Sequence, residues 1–199
     1  DLAECLLSWV NNNINELFTT YPLTPETRNR ISRGRLLVAE SEVAYRKGDL
    51  LAAERKLNEA EHLLSSSYDS ANKNLENYFQ EYPKWKRWAE KTIADSKASK
   101  DYAIVVDKFA RKLYIYHSGV KKFEYSAELG KNWVGDKRVR GDMATPEGLY
   151  KITKKFDQTK TKYYKALLLN YPNDEDTAIF RQEIASGRLP HNAKIGGLI

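Results

Sequence analysis

The sequence predicts an α+β protein, with helices up to about residue 98 followed by a mostly β domain. Apolar residues in the first hundred positions recur at helical spacing, whereas from Tyr102 onward the period shortens to that of strands. Between the two regimes lies Ala94 to Lys100, A-D-S-K-A-S-K, which has the composition of a linker. A third observation is the stretch from Gly141 to Ile152, where two glycines and a proline form a tight corner that feeds an alternating segment. The expected organisation is a helical domain over residues 1–100 and a β domain over 101–199.

Composition sets the bounds. With 30% charged and 41% hydrophobic residues, the chain has the balance of an ordinary globular protein. No run approaches the length of a membrane span, and no charged-then-apolar leader opens the chain, so a start at Asp1 reads as a mature or trimmed form. Leu2-Ala3-Glu4-Cys5 resembles a lipoprotein cleavage box only superficially, because Glu4 stands where a small residue is needed. Charge is uneven: residues 1–100 hold 15 basic and 15 acidic side chains, while 101–199 hold 18 and 12, the whole of the net +6. That excess fits either a solvated lysine-rich surface or an anionic partner such as the bacterial wall or nucleic acid. The single cysteine permits no internal disulfide.

In order along the chain, Leu2, Leu6, Trp9, Val10, Ile14 and Leu17 predict a first helix over 2–18, weakened at Asn11 to Asn13. Thr24-Pro25-Glu26 reads as an N-cap with proline at the first helical position. Ile31, Val38 and Tyr45 carry that helix to Lys47, and Gly48-Asp49 ends it and opens the next. Leu50, Ala53, Leu57, Ala60 and Leu64 then form one apolar stripe. The antiparallel hairpin over 24–66 resembles half a tetratricopeptide unit and is expected to act as a spacer or docking element. Ser65 to Ser67 either end the second helix or fray it, and residues 69–97 read as helical with a kink at Tyr82-Pro83.

Tyr78, Phe79, Tyr82, Trp85 and Trp88 fall within eleven residues, interleaved with Lys84, Lys86 and Arg87. They fit a packing seam better than a platform for sugars or bases. Tyr102 to Asp107, Lys112 to His117 and Lys122 to Leu129 predict an antiparallel meander, with Ser118-Gly119 as its second turn. Further strands are expected over 148–156 and 167–171, then a helix over about 175–186 capped by Asn173 and ended by Gly187. Ile195 to Ile199 reads as the start of a strand.

Few residues offer chemistry. Cys5 sits on an apolar stripe beside Glu4 with no histidine nearby in sequence, so it reads as a core residue. His62, His117 and His191 lack ligand-like spacing, and neither metal nor cofactor is expected. Asp142, Thr145, Glu147 and Tyr150 are the best polar group, suited to acid–base work or to tying the turn together.

The wording of G-D-x-x-T-P-E-G-x-Y-x-I, Gly141 to Ile152, resembles the signature of the YkuD-type L,D-transpeptidase domain. The resemblance extends to Asp107-Lys108, Lys112 to Tyr116 and Leu129-Gly130 upstream, and to Ala166 to Asn173 and Ile195 to Ile199 downstream. It covers about residues 102–199. Members of this family cross-link or anchor bacterial peptidoglycan through a catalytic cysteine: a histidine-activated thiolate attacks an amide of a tetrapeptide stem, and the acyl group passes to an amine. The resemblance implies that Asp142, Thr145, Glu147 and Tyr150 border the cleft, with Tyr163 and Tyr164 flanking it. Gly141, Pro146 and Gly148 would shape the turn. It also implies peptidoglycan stem peptides as partners, with no nucleic acid, and a periplasmic or wall-associated location. In the family the last strand leads into I-H-G and later G-C, neither of which occurs within these 199 residues. The expectation is a fragment lacking the nucleophile, or alternatively a non-catalytic wall-binding or protein-interaction module.

Overall fold

The computed structural model describes residue 8, residues 22–197 and residue 199. The expected first helix, apart from Ser8, and Cys5 lie outside the described residues. The chain separates into two compact units, residues 1–80 and 81–199. Helices followed by small antiparallel sheets make it α+β, as the sequence predicts.

The first unit holds helix α1, Pro25–Arg46, and helix α2, Leu50–Phe79. Thr24 caps α1 by accepting from the Thr27 amide at 3.2 Å, with Pro25 just inside, where its missing N–H costs nothing. Gly48, at φ +79, ends the helix, and Asp49 then caps α2 by accepting from the Ala52 amide at 3.0 Å. Ile31, Leu37, Val38, Ala60 and Leu64 form the core between the two helices. Gly34 makes their close approach possible: a Cβ there would lie 2.7 Å from Leu64 Cγ.

The serine run does not end α2. Ser65, Ser66 and Ser67 return their hydroxyls to the carbonyls of Glu61, His62 and Leu63, so they stay helical and α2 runs on to Phe79. The expected kink at Pro83 is instead a break. Gln80 and Glu81 form a turn, and a new helix, α3, Tyr82–Ser99, begins with Pro83 in its first turn.

In the second unit α3 leads into a meander of β1, Tyr102–Asp107, β2, Lys112–His117, and β3, Val120–Ser126. The Ser96 hydroxyl donates to Asp101 O at 2.7 Å and accepts from the Gly119 amide at 3.3 Å, tying the end of α3 to the start of β1 and to the β2–β3 turn beside it. Ser118 and Gly119 both have positive φ, the requirement of a tight two-residue hairpin. Ile104, Ile115 and Phe123 stand in one cross-strand row and Val106, Leu113 and Tyr125 in the next, giving an apolar face. A second pair follows: β4, Ile152–Asp157, with β5, Lys165–Leu169. β4 begins four residues later than Gly148, because 149–151 are held by other contacts, including Lys151 N to Asn170 Oδ1 at 2.6 Å. Likewise β5 ends at Leu169 rather than Tyr171. Helix α4, Asp174–Ala185, starts with a capping box between Asn173 and Asp176. The described residues of 195–199 form no strand, although Leu169 N donates to Ile199 O at 2.7 Å.

Candidate functional site

The loop between β3 and β4 has almost no regular structure, yet its polar groups are densely paired. Its anchor is Lys108, at the end of β1. The ammonium donates to Gly135 O at 2.9 Å, to Thr145 O at 2.9 Å and to Glu147 Oε1 at 2.6 Å, so all three protons are used. Both partners of the ion pair are largely buried, the side chains 9% and 13% exposed. The pair therefore fixes geometry at a high desolvation cost.

Asp142 organises the second corner. Its Oδ1 accepts from Lys137 Nζ at 2.6 Å and from the Ala144 amide, while Oδ2 accepts from the amides of Arg138 and Val139. Burial alone would raise its pKa, but the Lys137 ammonium and the three amides outweigh that and hold the carboxyl below its ordinary value. Asp136 shows the reverse balance. Burial raises it despite the amides of Glu147 and Lys137 that its Oδ1 accepts. Gly141 adopts φ +87 at this corner, as a left-handed position requires. Gly148 does not have positive φ; a Cβ there would instead press to within 3.0–3.2 Å of the Tyr150 ring.

Thr145 Oγ1 accepts from the Gly130 amide at 2.9 Å, and Gly130 lets the two segments touch, since a Cβ would fall 2.0 Å from Met143 O. Tyr150 donates to Asp176 Oδ1 at 3.0 Å, joining the loop to the cap of α4. Burial, then the nearby Asp176 and Asp136 charges, push the Tyr150 hydroxyl far above its ordinary pKa. Tyr171, 5% exposed, stands edge-on to Tyr150, and its hydroxyl has no hydrogen-bond partner among the described residues. Burial, reinforced by Asp176 and Asp136, pushes its pKa up to about 12.

Asp142, Thr145, Glu147 and Tyr150 are thus brought into one network. Tyr163 and Tyr164 belong to a different place. They lie on the β4–β5 loop, 62% and 74% exposed, with Lys162 and Lys165 of the same hairpin over their rings. Lys108, Asp136, Lys137 and Asp176 carry much of the network without having been assigned a role from sequence. Their partners are mostly distant in the chain, and only the Asp107-Lys108 wording offered a signal. Beside the loop is a cavity of about 550 Å³ lined by Lys137, Arg140, Gly141, Ala144 and Gly196, among others. His191 is in an exposed turn, and no cluster among the described residues has the makings of a metal site.

A meander feeding a T-P-E-G loop that is braced by buried ammonium groups defines the second unit as an α+β domain with a built, polar loop site. Residues 101–195 match the family model of the L,D-transpeptidase catalytic domain, YkuD. Comparison with curated proteins and with solved structures gave no match. No helix among the described residues is long and apolar enough to cross a membrane.

Proposed function

We propose that the second unit supplies the substrate-side frame of an L,D-transpeptidase site acting on peptidoglycan stem peptides in the bacterial periplasm or wall. The observation that carries this reading is the Lys108 clamp on Thr145 and Glu147, within the stretch that matches the family. The clamp holds the T-P-E-G backbone rigid beside the cavity, and Arg140 gives that cavity a cationic edge suited to a stem carboxylate. Asp142, Thr145, Glu147 and Tyr150 have polar groups engaged by the frame, so they position substrate by shaping the wall. Tyr163 and Tyr164, on the β4–β5 loop, stand apart from this frame.

Acyl transfer in this family runs through a thiolate, and Cys5 is the only thiol in these 199 residues. Residues 1–199 should therefore bind a stem tetrapeptide without forming an acyl-enzyme. Intact mass spectrometry after incubation with tetrapeptide or a carbapenem should show unmodified protein, and a covalent adduct at Cys5 would overturn the assignment. The engagement of all four loop residues in internal bonds also supports a second reading, a wall-binding module without turnover. Stem binding in a natural, longer form that still lacks a thiolate near this loop would favour it. The helical hairpin is proposed as a protein-docking element.

A further inference from the structure

The chain's excess charge is concentrated on one hairpin. From Lys151 to Lys165 there are six lysines and one acid, Asp157, a net +5 out of the chain's +6. Asp157 is engaged locally, its Oδ1 accepting from the Thr159 amide and hydroxyl. All six lysines are exposed, and none forms an ion pair among the described residues. Lys155 and Lys165 share a face, because Lys165 pairs with Asp157 two residues along β4 from Lys155. Lys160 and Lys162 lie on the loop that closes the same end.

Crowding like charges on a two-stranded ribbon opposes folding, and nothing in the described chain neutralises them. Such an arrangement suits an external polyanion. At the same end the exposed rings of Tyr163 and Tyr164 add flat apolar surface with polar tips, which suits sugar rings. Resting on the reading that this domain works on peptidoglycan, we propose that the closed end of the β4–β5 hairpin docks on the carboxylate-bearing peptidoglycan polymer. Lys155, Lys160, Lys162 and Lys165 pair with its carboxylates, and the two tyrosines lie against its sugars. This contact is separate from the cavity beside the T-P-E-G loop and holds the domain on the polymer between encounters with individual stems.

The test is co-sedimentation of the full chain with purified sacculi at low and moderate salt, beside duplex DNA and phosphatidylglycerol vesicles. Wild type should sediment with sacculi in a salt-sensitive manner. K155Q/K160Q/K162Q/K165Q should bind on the order of 10²-fold more weakly, since each cation near an anionic surface contributes several-fold. K160R/K162R should retain binding. Urea unfolding should show both variants at least as stable as wild type, because in the glutamine variant relief of like-charge repulsion offsets the lost contacts of Lys162 and Lys165 with the neighbouring rings. Equal binding by the glutamine variant overturns the proposal, as does tighter binding of wild type to DNA or vesicles than to sacculi. Titration with soluble tetrapeptide separates the two readings. Stem binding without lysine-dependent sedimentation sinks the docking surface alone, whereas lysine-dependent sedimentation without stem binding sinks the stem-site reading alone.

Discussion

Replacing Lys108 with methionine tests whether the loop is held by one ammonium. Methionine keeps most of the length and apolar stem but removes all three donors, leaving the carbonyls of Gly135 and Thr145 and the Glu147 carboxylate without them. Breaking a buried pair on one side costs about 3–5 kcal/mol, and the residual exposure of both side chains favours the lower end. About 3 kcal/mol corresponds to a shift on the order of 10² in the unfolding equilibrium. Glu147→Gln keeps an acceptor for Lys108 and should cost only about 1 kcal/mol. The double variant should be less damaged than the sum, because K108M/E147Q leaves no largely buried carboxylate deprived of its ammonium. Urea unfolding followed by tryptophan fluorescence is the assay, with buried Trp133, edge-on to Phe109, reporting from the same loop. A K108M variant within 0.5 kcal/mol of wild type, or strictly additive effects, would refute the clamp.

Gly34→Ala gains about 1 kcal/mol of helix propensity but drives a methyl into Leu64, so it should destabilise the first unit by about 1 kcal/mol net. In a Leu64→Ala background the sign should reverse, which thermal unfolding by circular dichroism would show. Tyr171→Phe removes a buried hydroxyl that lacks a partner and should be neutral or stabilising at pH 7. Because burial raises this phenol to about 12, the stability it contributes is full below its unfolded value near 10 and is lost as pH climbs through about 12. Urea midpoints at pH 9 and 11.5 should converge more closely in the variant than in wild type. Asp142→Asn should destabilise at neutral pH, where the wild-type carboxylate is ionised. The gap between the two proteins should close as pH falls below the ordinary aspartate value, through the lowered pKa of Asp142.

Local rules were legible in the sequence where a residue's partner is a near neighbour. Thr24-Pro25, Gly48-Asp49, Ser118-Gly119 and Asn173 all do what their chemistry dictates within four residues, and the change of apolar period marks the meander. The serines of α2 misled because the same hydroxyl that favours caps also bonds to the carbonyl one turn back. Gly148 was ambiguous, because a glycine signals either positive φ or lack of room, and here it is room. Lys108 and Asp176 were opaque for a different reason. Lys108 meets acceptors 27 to 39 residues away and Asp176 a donor 26 away, so no window of sequence displays the pairing.

The brace on the β3–β4 loop bears on how this protein breathes. A segment without strands or helices would ordinarily fray one amide at a time. Here Gly130 N rests on Thr145, Glu147 N on Asp136, and the amides of Arg138, Val139 and Ala144 on Asp142. Lys137 holds Asp142, Arg138 reaches Asp136, and Lys108 grips the Thr145 carbonyl and the Glu147 side chain, so releasing one amide loosens its neighbours. In deuterium exchange these five amides should open together, at a common free energy above that of the β4–β5 loop. Cooperative opening would then come to an irregular stretch of chain through shared side-chain acceptors instead of a ladder.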